Sequence, residues 1–252
     1  MVQPILKPVD REKRNVGSPK ERIEDLRLLR GKGIYVDDVK KNDIFHISIL
    51  RSPIAHGVIK NIDISDAKKL PGVISVLTSK DVIEFCGDIP KIPIRLHHNP
   101  NLMNYMQPVI AHEKVRFVGE AIALVVAKSQ AVAEDALALI QLDIETLEVS
   151  ASINVAKSNI SPIFDDPQGN SPLSYRSTKG NAQLIFNNAA YTRKEKFTIQ
   201  RISALTMETR GVLAEWIDDL QELFVYGAAK VPFWNRSALA GMLNMQKDKV
   251  HL

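Results

Sequence analysis

Three places in the chain put polar side chains where they could do chemistry. The stretch "QRISALTMETRG" carries Gln200, Arg201, Glu208 and Arg210 among strand-type residues. A carboxylate in apolar surroundings is a candidate for acid or base work, because burial raises its proton affinity. The alternative is that Glu208 pairs with Arg201 or Arg210 on a sheet face. Lys230 follows the small run "GAA" and stands just before Pro232. That is a strand-to-helix junction, where unpaired helix N–H groups face ligands; an ordinary exposed lysine fits the same position. His56 opens "HGVIK" and is the third polar group of interest. His97 and His98 are adjacent, a spacing that rarely brings two side chains onto one metal, and with His112 they read as loop and surface residues. The glycines of "RGKGIYV" lack the third glycine of a dinucleotide fingerprint, which is Val36 here, and no strand precedes them. No phosphate loop of the Walker type occurs.

The elements that must hold these residues are legible as periods. "IFHISILRS" at 44–52 alternates like a half-buried strand, and "GVISVLT" at 72–78 is a β-branched run behind the turn pair Pro71 and Gly72. Between them Ser65 is placed to cap the short helix "DAKKL", and "SKDVIEF" forms another capped helical turn. Residues 90–108 carry Pro90, Pro93, Pro100 and Pro108 and predict an extended excursion rather than a helix. "VRFVGEAIALVVA" at 115–127 is one long strand-type run in which Gly119 marks a bulge or a close approach. Ser129 then caps a helix with Val132, Ala136, Leu139 and Ile140 on one stripe, and "LDIETLE" returns as a strand. Such alternation makes a compact unit whose helices cover a sheet.

Ser, Asn, Pro and Gly concentrate over 151–179, which predicts a linker. Beyond it stand a short helix near 182–187 and strands near 190–202, 207–217 and 220–227, the last two joined at Asp218 and Asp219. Pro232 opens a helix with Trp234, Ala238, Met242 and Met245 along one face. The domain plan is therefore a basic arm at 1–21, an α+β unit at 22–150, a linker at 151–179 and a second unit at 180–252.

Composition sets the outer limits. The 252 residues are 45% hydrophobic and 25% charged, ordinary globular values. The longest apolar runs, such as "AIALVVA", fall far short of the roughly 20 residues that span a bilayer. The N-terminus lacks the apolar core of a secretory signal, so a cytoplasmic protein is expected. Lys7, Arg11, Lys13, Arg14, Lys20 and Arg22 gather in the arm, but no nucleic-acid recognition motif accompanies them. Cys86 is the sole cysteine. It can form no internal disulfide and cannot hold an iron–sulfur cluster, which takes about four ligands.

Taken together, "RIEDLRLLRGKGIYVDDV", "SPIAHGVIKNIDISDAKKLPGVISVLTSKDV" and "VRFVGEAIALVVAKSQAVAEDALALIQLDIETLE" resemble the N-terminal part of the molybdopterin-binding large subunit of the xanthine dehydrogenase, aldehyde oxidase and carbon monoxide dehydrogenase family. "QRISALTMETRGVLAEW" and "LFVYGAAKVPFWNRSALAGMLNM" resemble its next stations. The resemblance implies an α/β hammerhead domain over 22–150, followed by the beginning of a mixed α/β domain that binds the molybdenum cofactor. It implies a molybdopterin cytosine dinucleotide, with 2Fe–2S clusters and FAD on partner subunits, and insertion of a water-derived oxygen into an aldehyde or heterocycle, or oxidation of carbon monoxide. Lys230 falls where many members carry a glutamine near the molybdenum, so a cationic donor replaces a group that both donates and accepts. Glu208 is a weaker cofactor-side candidate. The family's glycine-rich cofactor loop and catalytic glutamate do not occur in residues 1–252. The tail "MLNMQKDKVHL" ends on the opening of a strand. The expectation is a partial subunit, inactive alone, completed by a separate C-terminal chain; the alternative is a non-catalytic hammerhead interaction module.

Overall fold

The computed structural model describes residues 16, 17, 19–95, 99–206 and 208–252. Most of the basic arm, together with His97 and His98, lies outside the described residues. The first helix among the described residues is α1 (Asp25–Leu29). Strands β1 (His46–Arg51), β3 (Val73–Thr78) and β5 (Ala121–Ala127) form an antiparallel sheet in the order β1-β5-β3. Strands β2 (Gly57–Asp63), β4 (Lys114–Val115) and β6 (Gln141–Thr146) form a second, in the order β4-β2-β6.

Central strand β5 serves both layers, because alternate side chains of a pleated strand point to opposite faces. Ala123, Val125 and Ala127 join Ala67, Val76, Ala133, Ala136 and Ile140 in one buried cluster, and Ile122 joins Ala111 and Val115 in another. Leu50 and Ile62 pack against both clusters, so the two sheets share one core. Each fully buried Val or Ile stabilises it by roughly 1.5–3 kcal/mol. Helix α2 (Ser65–Lys69) and helix α4 (Gln130–Ala138) cover the first sheet. The buried positions of α4 are Ala133 and Ala136, whose single methyls let the helix lie close on β5. Ser129 caps α4 as expected, its Oγ accepting the Val132 N–H at 3.3 Å. Helix α3 (Ser79–Cys86) starts from a reciprocal cap between Thr78 and Asp81.

Residues 148–170 return onto this unit. Helix α5 (Ile153–Ser158) is followed by a turn in which Asp165 pairs with Lys114 at 2.6 Å. Asp166 accepts from Tyr105 Oη at 2.9 Å and from Asn104 at 2.8 Å. The half of the expected linker nearest the first unit is thus a clasp. Helix α6 (Ala182–Asn188) follows on an exposed stretch. The second unit is a hairpin, β7 (Val212–Ile217) and β8 (Glu222–Gly227), then helix α7 (Pro232–Met242) and strand β9 (Val250–His251), which runs parallel to β8. Val250 is fully buried, so the strand expected at the tail is formed.

The structure departs from the sequence-based expectation in several places, each for a local reason. Asp63 Oδ1 accepts the Ser65 N–H at 2.9 Å, which makes Ser65 the first helical residue and leaves Ile64 at the cap position. The run 115–127 is two strands in two sheets, and Gly119 between them is a turn residue at φ 93° with open space where a Cβ would stand. It serves a backbone angle, neither a bulge nor a close approach. Leu139 lies past the end of α4 and is exposed, while Leu137 packs against the core. No strand forms over 190–202, and the strand expected from 207 starts only at Val212. The β-branched and aromatic residues of 190–206 find no neighbouring strand, and β propensity forms a ladder only against a partner. On α7, Trp234, Ala238 and Met242 are half-buried and Ala240 is the deepest residue, while Met245 of the expected stripe lies past the helix end at Met242.

Candidate functional site

The β8–α7–β9 crossover places the carboxyl ends of two parallel strands beside the N-terminus of a helix. Open sheets of this kind bind ligands at that edge. After Gly227 the chain runs through Ala228, Ala229 and exposed Lys230 to Val231, and Pro232 takes the first helical position, where a missing N–H costs nothing. Val231 offers no side-chain cap and the first turn of α7 holds no acidic residue. The free N–H groups, the positive end of the helix dipole and the Lys230 ammonium together favour an anionic group.

A cleft of about 530 Å³ opens at the same strand ends, lined by Val225, Tyr226, Gly227, Ala228 and Leu252 on one side and by Arg27, Tyr35 and Val36 on the other. Glu208 also lines it. The N-terminal wall is held by close approach: a Cβ on Gly211 would stand 2.6 Å from Val36 Cγ1, so glycine there lets residue 36 reach the start of β7. It is held by charge as well. Lys41 Nζ lies 2.8 Å from Glu215 Oε2, and Tyr226 Oη donates to the same carboxylate at 3.3 Å. The hydrogen bond from Lys41 draws the Glu215 carboxyl below its ordinary range, and the bond to Glu215 raises the Lys41 ammonium. On β9, His251 stacks on Phe224 at 4.3 Å, and its Nε2 is 2.8 Å from Glu222 Oε2.

The structure brings Glu208 to the cleft and puts Lys230 two residues beyond Ala228 of the lining. Glu208 is half-buried, and its backbone oxygen accepts from Thr206 Oγ1 at 2.8 Å. Among the described residues it pairs with neither Arg201 nor Arg210, because the strand that was to align them is not formed. His56 lies away from the cleft. It is buried, with Nδ1 at 2.9 Å from Glu148 O and 3.1 Å from Ser161 Oγ, and so fastens the clasp.

Sequence reasoning passed over Glu120, which is 1% exposed at the entry to β5. One carboxylate oxygen accepts the Arg116 N–H at 2.5 Å, the other has no hydrogen-bond partner, and the Arg116 guanidinium stands 3.9 Å away. Burial pushes this carboxyl up, against the pull of the Arg116 N–H and charge. The signal was present as a lone carboxylate inside "VGEAIALVVA". Among the described residues no group of three or more His, Cys, Asp or Glu is placed to hold a metal ion, and no helix is long and apolar enough to cross a membrane.

Comparison with known proteins bears on both units. Residues 30–148 match the model of the aldehyde oxidase and xanthine dehydrogenase a/b hammerhead domain, and residues 164–252 match that of the molybdopterin cofactor-binding domain. The chain belongs to the aldehyde oxidase and xanthine dehydrogenase family. It is 34% identical to the nicotine 6-hydroxylase large subunit of Paenarthrobacter nicotinovorans over 93% of its own length and 28% of that protein's. It is 30% identical to the carbon monoxide dehydrogenase large chain of Afipia carboxidovorans, over 100% of this chain and 32% of that one. The crystal structure of quinoline 2-oxidoreductase from Pseudomonas putida 86 superposes with a TM-score of 0.78 at 33% identity, covering 93% of this chain and 29% of that one. The chain thus spans 28–32% of the length of these relatives. The α/β hammerhead and the beginning of a cofactor-binding domain are the two units of the fold, and the cleft lies in the second of them against the N-terminal wall of the first.

Proposed function

We propose that this chain supplies the hammerhead and the opening of the cofactor domain of a molybdenum hydroxylase large subunit. The assembled enzyme oxidises an aldehyde, a heterocycle, a related small molecule or carbon monoxide. The observation that carries the reading is the uncapped N-terminus of α7 beside Lys230, at the parallel edge of β8 and β9, within the residues that match the cofactor-binding domain. Its donor set suits an anionic group: a cation and free N–H groups, with no carboxylate in the first turn. When bound, a molybdopterin cytosine dinucleotide supplies a metal that takes up two electrons from the oxidised carbon. Lys230 and the first N–H groups of α7 would hold its anionic edge, and Glu208 lines the neighbouring cleft. The rest of the grip comes from polypeptide outside residues 1–252, in a complementary C-terminal chain, and the electrons leave through 2Fe–2S clusters and FAD on partner subunits.

The test is co-expression of residues 1–252 with the complementary C-terminal part of a large subunit in a host that makes molybdopterin. Molybdenum content and hydroxylase activity are then measured. Metal and turnover appear only in the complex on this reading; full activity from residues 1–252 alone overturns it. A second reading, a hammerhead module acting without cofactor, draws on the self-contained core of the first unit. It predicts a complex that never retains molybdenum.

A further inference from the structure

A line of contacts runs from the buried carboxyl of Glu120 out to the clasp. Glu120 Oε2 accepts the Arg116 N–H at 2.5 Å, while Oε1 is buried with no hydrogen-bond partner. Arg116 Nε is buried without a partner as well, and Arg116 Nη1 stands 3.9 Å from Oε1, outside hydrogen-bond reach. The guanidinium is turned onto the clasp instead. Its Nη1 donates to Lys114 O at 3.1 Å, and its Cζ lies 5.0 Å from the centre of the Phe164 ring. Phe164 meets Tyr105 edge-on, ring centres 5.5 Å apart, and the Tyr105 hydroxyl donates to Asp166 and to Gly169 O. Glu120 belongs to the residues that match the hammerhead and Phe164 opens those that match the cofactor-binding domain, so Arg116 stands between the two units.

An unpaired donor and an unpaired acceptor, both buried and belonging to neighbouring side chains, define a second arrangement. A small inward turn of the guanidinium lets Nε–H donate to Oε1. That settles both groups and takes the cation off Phe164. The charge on the carboxyl chooses between the two. A neutral carboxyl pulls weakly, and the guanidinium keeps its contact with the ring. An ionised one, buried with one oxygen unpaired, is costly and attracts the cation. Among the described residues no other charge competes for it: Arg51 is bonded to Gly119 O, Lys114 to Asp165 and His56 to Glu148 O. We infer that Arg116 is a pin shared between Glu120 and Phe164, so that loss of the Glu120 proton to solvent draws the guanidinium inward and loosens the clasp over 161–170. The sign agrees with the burial of Glu120, which raises its proton affinity in the closed arrangement. The clasp is therefore tightest below the ordinary carboxyl value and slackens as pH rises through the raised one.

Amide hydrogen exchange of residues 1–252, corrected for the intrinsic rate at each pH, tests it. The Ile163, Gly169 and Asn170 amides are bonded to Asn170 Oδ1, Asp166 O and Asn159 Oδ1 and report on the clasp. Their protection falls about 10-fold between pH 4 and 8, the scale of one cation–ring contact. Glu120→Gln, which stays neutral, keeps the low-pH protection throughout. Phe164→Leu, which removes the ring and keeps an apolar side chain, shows the lower protection at both ends of the range. Nuclear magnetic resonance of the parent gives a second readout that needs no variant: the Glu120 carboxyl carbon, the Arg116 Nε–H and the Phe164 ring protons shift with one midpoint. Clasp protection that is independent of pH in the parent overturns the inference, as does a Glu120→Gln protein that loosens with pH as the parent does. If Glu120→Gln does not fold, the parent's resonances decide, and a Phe164 ring that ignores the carboxyl titration overturns it.

Discussion

Gly57→Ala is the sharpest test of how the hammerhead is put together. Gly57 opens β2 and is paired on both sides, with Val115 of β4 and Thr146 of β6. Its backbone angle is open to any residue, so space alone decides the outcome. An added Cβ would stand 2.6 Å from Ile144 Cγ2, 2.7 Å from Ile54 Cδ1 and 2.7 Å from Glu145 O. The two isoleucines pack on the second core cluster, and the carbonyl belongs to β6, so no flexible tip can simply swing away. Overpacking of a tight core costs typically 1–3 kcal/mol, and the backbone contact puts this case near the top, about 3 kcal/mol. For a protein of this size that lowers the melting temperature by roughly 6–12 °C. Two controls separate space from backbone angle. Gly119→Ala meets open space but a φ of 93°, which costs about 1–2 kcal/mol. Gly241→Ala, in α7 with nothing within 4 Å of the new methyl, gains up to about 1 kcal/mol. Scanning calorimetry of the three variants gives the order. A Gly57→Ala protein that melts within about 2 °C of the parent refutes the claim that the packing around residue 57 leaves no room for a Cβ.

Three further outcomes follow from the same structure. Glu120, held above its ordinary range by burial against the pull of Arg116, favours its neutral form in the fold; that contribution is present below the unfolded value and is lost as pH rises through the raised native one. Glu120→Gln therefore gains stability on the parent as pH climbs from 4 to 8, and parallel melting curves across that range contradict the assignment. Asp81 is pushed up by burial, yet the Thr78 N–H and hydroxyl bonds hold it below the usual carboxylate range. Its contribution is full above the unfolded value and fades as pH falls through the depressed native one, so Asp81→Ala costs about 1 kcal/mol at pH 7 and progressively less under acid denaturation. Lys230 is exposed, so Lys230→Ala leaves the melting temperature unchanged, while on the proposed reading the completed subunit retains less molybdenum than the parent and its turnover falls in proportion; unchanged metal content and rate remove the lysine from the site.

Much of the fold was legible because local rules and tertiary needs agree. The capped helix after Ser129, the alternating strand that becomes β1, the turn at Asp218 and Asp219 and the proline-led α7 all follow from short-range chemistry that the final packing leaves undisturbed. Where they disagreed, a long-range partner decided. Residues 115–127 look continuous in hydrophobicity, yet β4 and β5 belong to different sheets, and only the positions of β2, β1 and β3 make that division. Residues 190–202 have strand composition and no strand to lie against.

The site divides the same way. Lys230 beside a helix start was readable from "GAAKVP", because proline and the small residues mark the junction by themselves. That Glu208 shares a cleft with residues 27–36 was not, since the pair is separated by most of the chain and joined only by the approach of Val36 to Gly211 and of Lys41 to Glu215. The burial of Glu120 was hidden for the same reason, as a carboxylate among apolar residues reads identically on a surface and in a core. By itself, then, the sequence determined most of the element types, the cap at Ser129 and the ordered motifs of the family, all set by neighbours within a few residues. Only the tertiary structure decided which strands share a sheet, which carboxylates are buried and which faces stay open, because those depend on contacts between segments that are distant along the chain.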